Sequence, residues 1–192
     1  MKKILVGTHN KGKFNEISYL LSKKIKKVSP VSLKIKSPRE IGKSFSENSK
    51  LKAKYFSKFV KIPVISDDSG LCIGSLGGKP GIYSARWAKR YGSFRKAMQL
   101  ILQKLKTKSN RSATFVCSLS LKYPDKKLIT VEGRIKGFIS KKIIGSKGFG
   151  YDPIFIPKNN FITFGQMPKM KKIKMDHRYN AFQKIKKKIR IL

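Results

Sequence analysis

Acidic residues are nearly missing from this chain. Its 192 residues include 46 lysines and arginines but only nine aspartates and glutamates, a formal net charge of +37. Taken alone, that balance suggests a polyanion partner. The basic residues, however, run along the whole chain and form no single arm or stripe. Lysine, isoleucine and phenylalanine abound while alanine is scarce, the pattern of a chain shaped by biased nucleotide composition. Such a chain is expected to hold nucleic acid only non-specifically, at low salt. The shortage has a corollary. The remaining acids are Glu16, Glu40, Glu47, Asp67, Asp68, Asp125, Glu132, Asp152 and Asp176. With surface acids largely gone, each is expected to hold a structural or chemical role.

Cysteine is scarce too. Cys72 and Cys117 lie far apart in apolar contexts without metal spacing, which predicts buried, reduced thiols in a cytoplasmic protein. No run of about 18 apolar residues exists, so no membrane-spanning helix is expected. The opening Met1–Gly7 has a brief apolar run and no cleavage site, and reads as a first strand instead of a signal peptide. What is present is 40% apolar residues, enough for a packed core. The length suits one domain over residues 1–192.

Hydrophobic spacing supplies the elements. Residues 2–7 read as a strand, followed by the polar turn Thr8–Lys13 and a helix with Phe14, Ile17, Leu20 and Leu21 on one face. Residues 31–35 suggest another strand. Ser44-Phe45-Ser46-Glu47 reads as a capping box, Glu47 reaching back to Ser44, before a helix with Leu51, Tyr55 and Phe59 at four-residue spacing. Pro63-Val64-Ile65 reads as a short strand ending in Ser66-Asp67-Asp68-Ser69-Gly70, with Leu71–Ile73 extended and a glycine-rich loop over 74–81. Phe94, Ala97, Met98, Ile101, Leu102 and Leu105 mark a helix over 93–107. Ala113, Phe115, Cys117, Leu119 and Leu121 alternate in a strand that turns at Tyr123–Lys126 and returns over 127–139. Asp176 is placed to cap a last helix carrying Phe182, Ile185 and Ile189. The class is α/β with a mixed sheet.

Four segments could carry chemistry. Thr8–Lys13 joins a strand to a helix, where backbone N–H groups favour anions; it lacks the Walker A glycine spacing and equally suits a plain turn. Asp67-Asp68 could hold magnesium through carboxylate oxygens, or form an Asx-turn at the strand end. Gly148-Phe149-Gly150-Tyr151-Asp152-Pro153 could bring backbone and an aromatic face to a base, or simply turn the chain. His177-Arg178 at a helix start could read a purine keto oxygen, or only begin the helix.

In combination these segments resemble the inosine triphosphate pyrophosphatase family. The resemblance rests on Thr8-x-Asn10-x-x-Lys13, Ser44-Phe45-x-Glu47-Asn48-x-x-x-Lys52-Ala53, Asp67-Asp68-Ser69-Gly70-Leu71, Leu76-Gly77-Gly78-x-Pro80-Gly81-x-Tyr83-Ser84-Ala85-Arg86, Gly148–Pro153, and Met167-Pro168-Lys169-x-x-Lys172 shortly before His177-Arg178. It runs nearly end to end. It implies two lobes around a long central mixed sheet flanked by helices, a nucleotide in the cleft, and a homodimer. It also implies hydrolysis of non-standard purine nucleoside triphosphates (ITP, dITP, XTP) to monophosphate and pyrophosphate, keeping hypoxanthine and xanthine out of DNA and RNA. By the same resemblance Thr8, His9, Asn10, Lys11, Gly12, Lys13 and Lys52 hold the triphosphate, Lys52 also serving catalysis. Asp68 is the general base and, with Glu40, a magnesium ligand. Ser69 touches the substrate, and Phe149, Gly150, Tyr151, Asp152, Lys172, His177 and Arg178 surround base and sugar. The chain departs from the family pattern at Pro38–Gly42, where Glu40 is the one acid of a usual two, at Asp176 in place of a serine, and at Lys171 in place of an acid.

Overall fold

The computed structural model describes residues 2–125 and 127–188. Six strands and six α-helices are assigned there: β1 (Lys3–Val6), α1 (Lys11–Leu20), β2 (Lys26–Val28), α2 (Phe45–Phe56), β3 (Val64–Ile73), α3 (Ser84–Arg90), α4 (Phe94–Lys104), β4 (Ser112–Lys122), β5 (Leu128–Ile139), β6 (Phe155–Pro157), α5 (Lys169–Ile173) and α6 (His177–Lys187). The strand order is β2-β1-β3-β4-β5-β6. β1 pairs parallel with β2 and β3, and β5 pairs antiparallel with β6, so the sheet is mixed as expected. Among the described residues no helix is long and apolar enough to cross a membrane.

The chain divides into two compact units. The first holds residues 1–68, 117–133 and 178–192; the second holds 69–116 and 134–177. In the first unit, strand alternation sorts side chains to two faces of the sheet. Ile4, Val6, Ile65, Cys117, Leu119 and Leu121 pack with Ile17 and Leu21 of the α1 segment and with Ala181, Phe182 and Ile185 of α6. Leu5 and Val64 face the other way, against Phe56 of α2. In the second unit, Leu71, Ile73, Ala113, Phe115, Ile139 and Phe155 pack with Ala97, Met98 and Ile101 of α4.

Several expectations need correction. The strand expected at 31–35 is a turn; β2 lies earlier, at Lys26–Val28. Pro30 explains the change, since its carbonyl accepts from Leu33 N and Ile35 N, and Lys34 takes a left-handed φ of 55°. Ser44 does cap α2, its side chain accepting from Glu47 N, but Glu47 reaches back to Lys43 N at 2.8 Å and not to Ser44. The buried face of α2 is Asn48, Ser49, Lys52, Ala53 and Phe56 instead of Leu51, Tyr55 and Phe59; Phe59 is exposed. That face meets a row of hydroxyls. Ser49 Oγ lies 2.9 Å from both Ser118 Oγ and Ser120 Oγ on β4. Polar partners on the sheet make a polar helix face the inner one, which apolar periodicity could not announce. Cys117 is buried as expected, but Cys72 is only half-buried. Ile189 and Lys126 lie outside the described residues.

Candidate active site

The acidic pair sits in mid-strand. Val64–Ile73 is one continuous strand, so Asp67 and Asp68 are not at a strand end, and no Asx-turn forms. Alternation turns the two carboxylates to opposite faces, which relieves the repulsion expected of adjacent acids. Asp67 points to the α1 and α6 side, and Asp68 to the α2 side.

Asp67 is fully buried. Lys13 Nζ lies 3.1 Å from Asp67 Oδ2, and Arg178 Nε lies 3.6 Å from the same oxygen. Burial opposes its ionisation, but Lys13, Arg178 and Lys52 outweigh burial and hold the carboxyl well below the usual carboxylate range. Arg178 Nη1 donates to Glu16 Oε2 at 2.8 Å, closing a chain of alternating charge, Lys13–Asp67–Arg178–Glu16, that is buried except at half-buried Lys13. Lys13 and Glu16 are one helical turn apart on α1, the spacing at which side chains share a face.

Asp68 is 4% exposed. Its Oδ2 accepts from Asn48 Nδ2 at 3.0 Å, while Oδ1 faces Lys52 Nζ at 3.9 Å. Lys52 Nζ donates to Glu40 Oε1 at 2.6 Å. Burial pulls the Lys52 ammonium down, yet Asp67, Asp68 and Glu40 together raise its pKa. Asp68 moves the opposite way to its neighbour. Burial raises its pKa and Glu40 adds to the rise, against the pull of Lys52, Lys13 and the Asn48 hydrogen bond. A carboxylate held this way is reluctant to stay ionised and ready to accept a proton.

Glu40 and Asp68 therefore converge on a single ammonium. Among the described residues no group of three or more His, Cys, Asp and Glu side chains stands ready to hold a metal unaided. Two carboxylates sharing one cation fit the oxygen chemistry of magnesium, which takes one or two carboxylates and completes its shell with substrate phosphates and water.

The first turn builds the start of α1. Asn10 is the N-cap, its Oδ1 accepting from Lys13 N at 3.0 Å, and Thr8 Oγ1 accepts from Asn10 N at 3.2 Å. Their oxygens serve the loop itself, and their hydrogens are the donors left for a ligand. His9 and Lys11 are exposed, with His9 Nε2 2.9 Å from the Ile35 carbonyl; Gly12 is half-buried.

In the second unit a separate cluster forms on the glycine-rich loop. Asp152 and Lys172 are a buried pair at 2.5 Å. Asp152 Oδ2 also accepts from Phe149 N at 2.8 Å. Lys172 Nζ lies 4.8 Å from the Phe149 ring centroid and 5.6 Å from that of Phe164. Gly148 is required here: its φ is +75°, and a side chain would collide with the Asp152 carboxylate. Tyr151 is buried, its hydroxyl donating to Ser84 O at 2.9 Å, and burial with the neighbouring Tyr91 pushes that hydroxyl up. Tyr151 thus braces the loop. Gly150 and Ser69 are half-buried. His177 stacks on Phe115 at 4.8 Å and 11°. His177 and Arg178, consecutive in sequence, fall in different units. The sequence assigns no specific place in the site to Asn48, Glu16 or Phe115. The one usable signal was Glu16 itself, an acid inside a basic helix of a chain poor in acids.

The chain matches the model of the Ham1 family over residues 4–188. It is 38% identical to the dITP/XTP pyrophosphatase of Caulobacter vibrioides, covering 96% of each chain. It is 40% identical to the dITP/XTP pyrophosphatase of Dictyoglomus thermophilum, covering 95% of this chain and 92% of the relative. Among solved structures it resembles the Staphylococcus aureus Ham1 protein, with a TM-score of 0.86, 34% identity and 97% of both chains covered. A HAM1 protein from Coxiella burnetii superposes with a TM-score of 0.87 at 30% identity, covering 97% of this chain and 98% of that one.

Proposed function

The chain belongs to the Ham1 family, and on that footing we propose that it is a nucleoside triphosphate pyrophosphatase acting on non-standard purine nucleotides. It hydrolyses ITP, dITP and XTP to the nucleoside monophosphate and pyrophosphate. The observation that carries the catalytic assignment is the state of Asp68, a buried carboxylate with a raised pKa, one oxygen held by Asn48 and the other turned to Lys52.

In this reading Asp68 takes a proton from the water that attacks the α-phosphorus, and pyrophosphate departs from the opposite side. Little covalent work falls to the protein, as is general in phosphoryl transfer. Asp68 and Glu40 are the oxygen donors for magnesium, which when bound neutralises charge on the phosphate oxygens. Lys13 and Lys52 supply positive charge to the triphosphate, with Thr8, Asn10 and the backbone of His9, Lys11 and Gly12 as further donors. In the second unit Phe149 offers a ring face to the base, Asp152 and Lys172 fix that loop, and Ser69, Gly150, Tyr151 and His177 complete its setting; Arg178 belongs to the first unit. Donors aimed at a six-keto oxygen favour hypoxanthine and xanthine. Adenine's amino group would leave a buried donor facing a donor, which is costly. We take residues 1–192 as one functional domain, working as a cytoplasmic homodimer, with nucleic acid held only by charge at low salt.

A triphosphate panel tests this reading. With magnesium present, kcat/KM for ITP, dITP and XTP should exceed that for ATP by at least about a hundredfold. Similar rates for every purine would remove the base selectivity, and absence of pyrophosphate release would remove the enzyme.

A further inference from the structure

We propose that Asn48 is the positioning residue of this reaction, fixing Asp68 and the Glu40 segment in one arrangement around Lys52. The inference rests on the reading of Asp68 as the proton acceptor. Asn48 is completely buried on the inner face of α2. Its Oδ1 accepts from Gly42 N at 2.8 Å, and its Nδ2 donates to Asp68 Oδ2 at 3.0 Å. The amide orientation is settled by chemistry: a backbone N–H can only donate, so Oδ1 must face Gly42 and the NH2 must face the carboxylate.

Each bond has a distinct consequence. The bond to Asp68 pins one carboxylate oxygen and leaves the other directed at Lys52. The bond to Gly42 ties down the backbone two residues after Glu40, whose carboxylate reaches the same ammonium. One side chain thereby sets where both acids stand. Gly42 is shaped to receive it. A Cβ at that position would lie 2.7 Å from Asn48 Oδ1 and 2.8 Å from Glu47 Cβ, so any side chain there would displace the amide. The simpler role, an anchor for α2, is already filled next door by Ser49 through its bonds to Ser118 and Ser120.

The test is a double-mutant cycle on the full chain, with ITP and magnesium, comparing Asn48→Ala, Asp68→Asn and the double variant, with Asn48→Asp and Gly42→Ala alongside. Asn48→Ala should lower kcat by about tenfold to a hundredfold, the worth of a hydrogen bond to a charged group, with KM changed less than about threefold. If Asn48 acts through Asp68, the double variant is no slower than Asp68→Asn alone. Asn48→Asp, assayed at a pH high enough to ionise both carboxyls, keeps the acceptor for Gly42 but has no donor for Asp68, so it should fail like Asn48→Ala; it also stands in if Asn48→Ala does not fold. Gly42→Ala should move kcat in the same direction. A folded Asn48→Asp with parental kcat, or losses that multiply in the double variant, would overturn the proposal while leaving the role of Asp68 intact. High activity in Asp68→Asn would instead remove the reading on which it rests.

Discussion

Asp68→Asn is expected to lower kcat by about two to four orders of magnitude, the usual contribution of a general base, with the fold intact. The replacement has the same shape but cannot take a proton at neutral pH. Its effect on stability should be small because two electrostatic changes oppose each other. Removing the charge relieves a buried, desolvated carboxylate, and it also withdraws one of three acids acting on Lys52. Lys52 retains its 2.6 Å bond to Glu40. Pyrophosphate release together with a thermal melt checks both halves. A variant that turns over ITP at the parental rate would place the base elsewhere.

Lys52→Met should damage both stability and turnover. The ammonium is buried between Glu40, at 2.6 Å, and Asp68, at 3.9 Å. Deleting it leaves two carboxylates facing each other without the cation that balances them. Breaking a buried pair from one side costs about 3–5 kcal/mol. The low end of that range is expected here, since the Glu40 side chain is 29% exposed and keeps part of its hydration. Asp67 loses one of the three cations that favour its ionised form, but Lys13 and Arg178 still hold it from the other face of the sheet. Added magnesium should restore part of the melting temperature by supplying positive charge between the same oxygens. An unchanged melting temperature would mean that Glu40 and Asp68 do not depend on Lys52 for charge balance.

These outcomes turn on residues that were unevenly visible in the sequence. The shortage of acids points to most of the polar contacts. Glu16, Glu40, Asp67, Asp68 and Asp152 each hold a buried cation, Glu47 caps the approach to α2, and Asp125 accepts from Lys127 N in the β4–β5 turn. When surface acids are scarce, those that remain carry contacts. Apolar period served well where helices pack on apolar sheet, as for α4 and α6, whose Ala97, Ile101, Phe182 and Ile185 are all buried. It failed for α2, whose inner face meets serines and an aspartate, and burial there follows hydrogen bonds that one-dimensional patterning does not carry. It failed again at 31–35, where Pro30 turns the chain before a strand can form.

The Asp67-Asp68 pair shows a different limit. Its chemical importance was legible, but its division of labour was not. That division comes from mid-strand placement, which sends one acid to Lys13 and Arg178 and the other to Asn48 and Lys52. The role of Asn48 is invisible to local sequence pattern because its two partners lie 6 and 20 residues away in the chain.

Hydrolysis of ITP in water labelled with heavy oxygen tests the central claim most directly. If Asp68 drives water onto the α-phosphorus, mass spectrometry of the products will find the label in inosine monophosphate and none in pyrophosphate. Label in the pyrophosphate would mean attack at the β-phosphorus and would contradict the account.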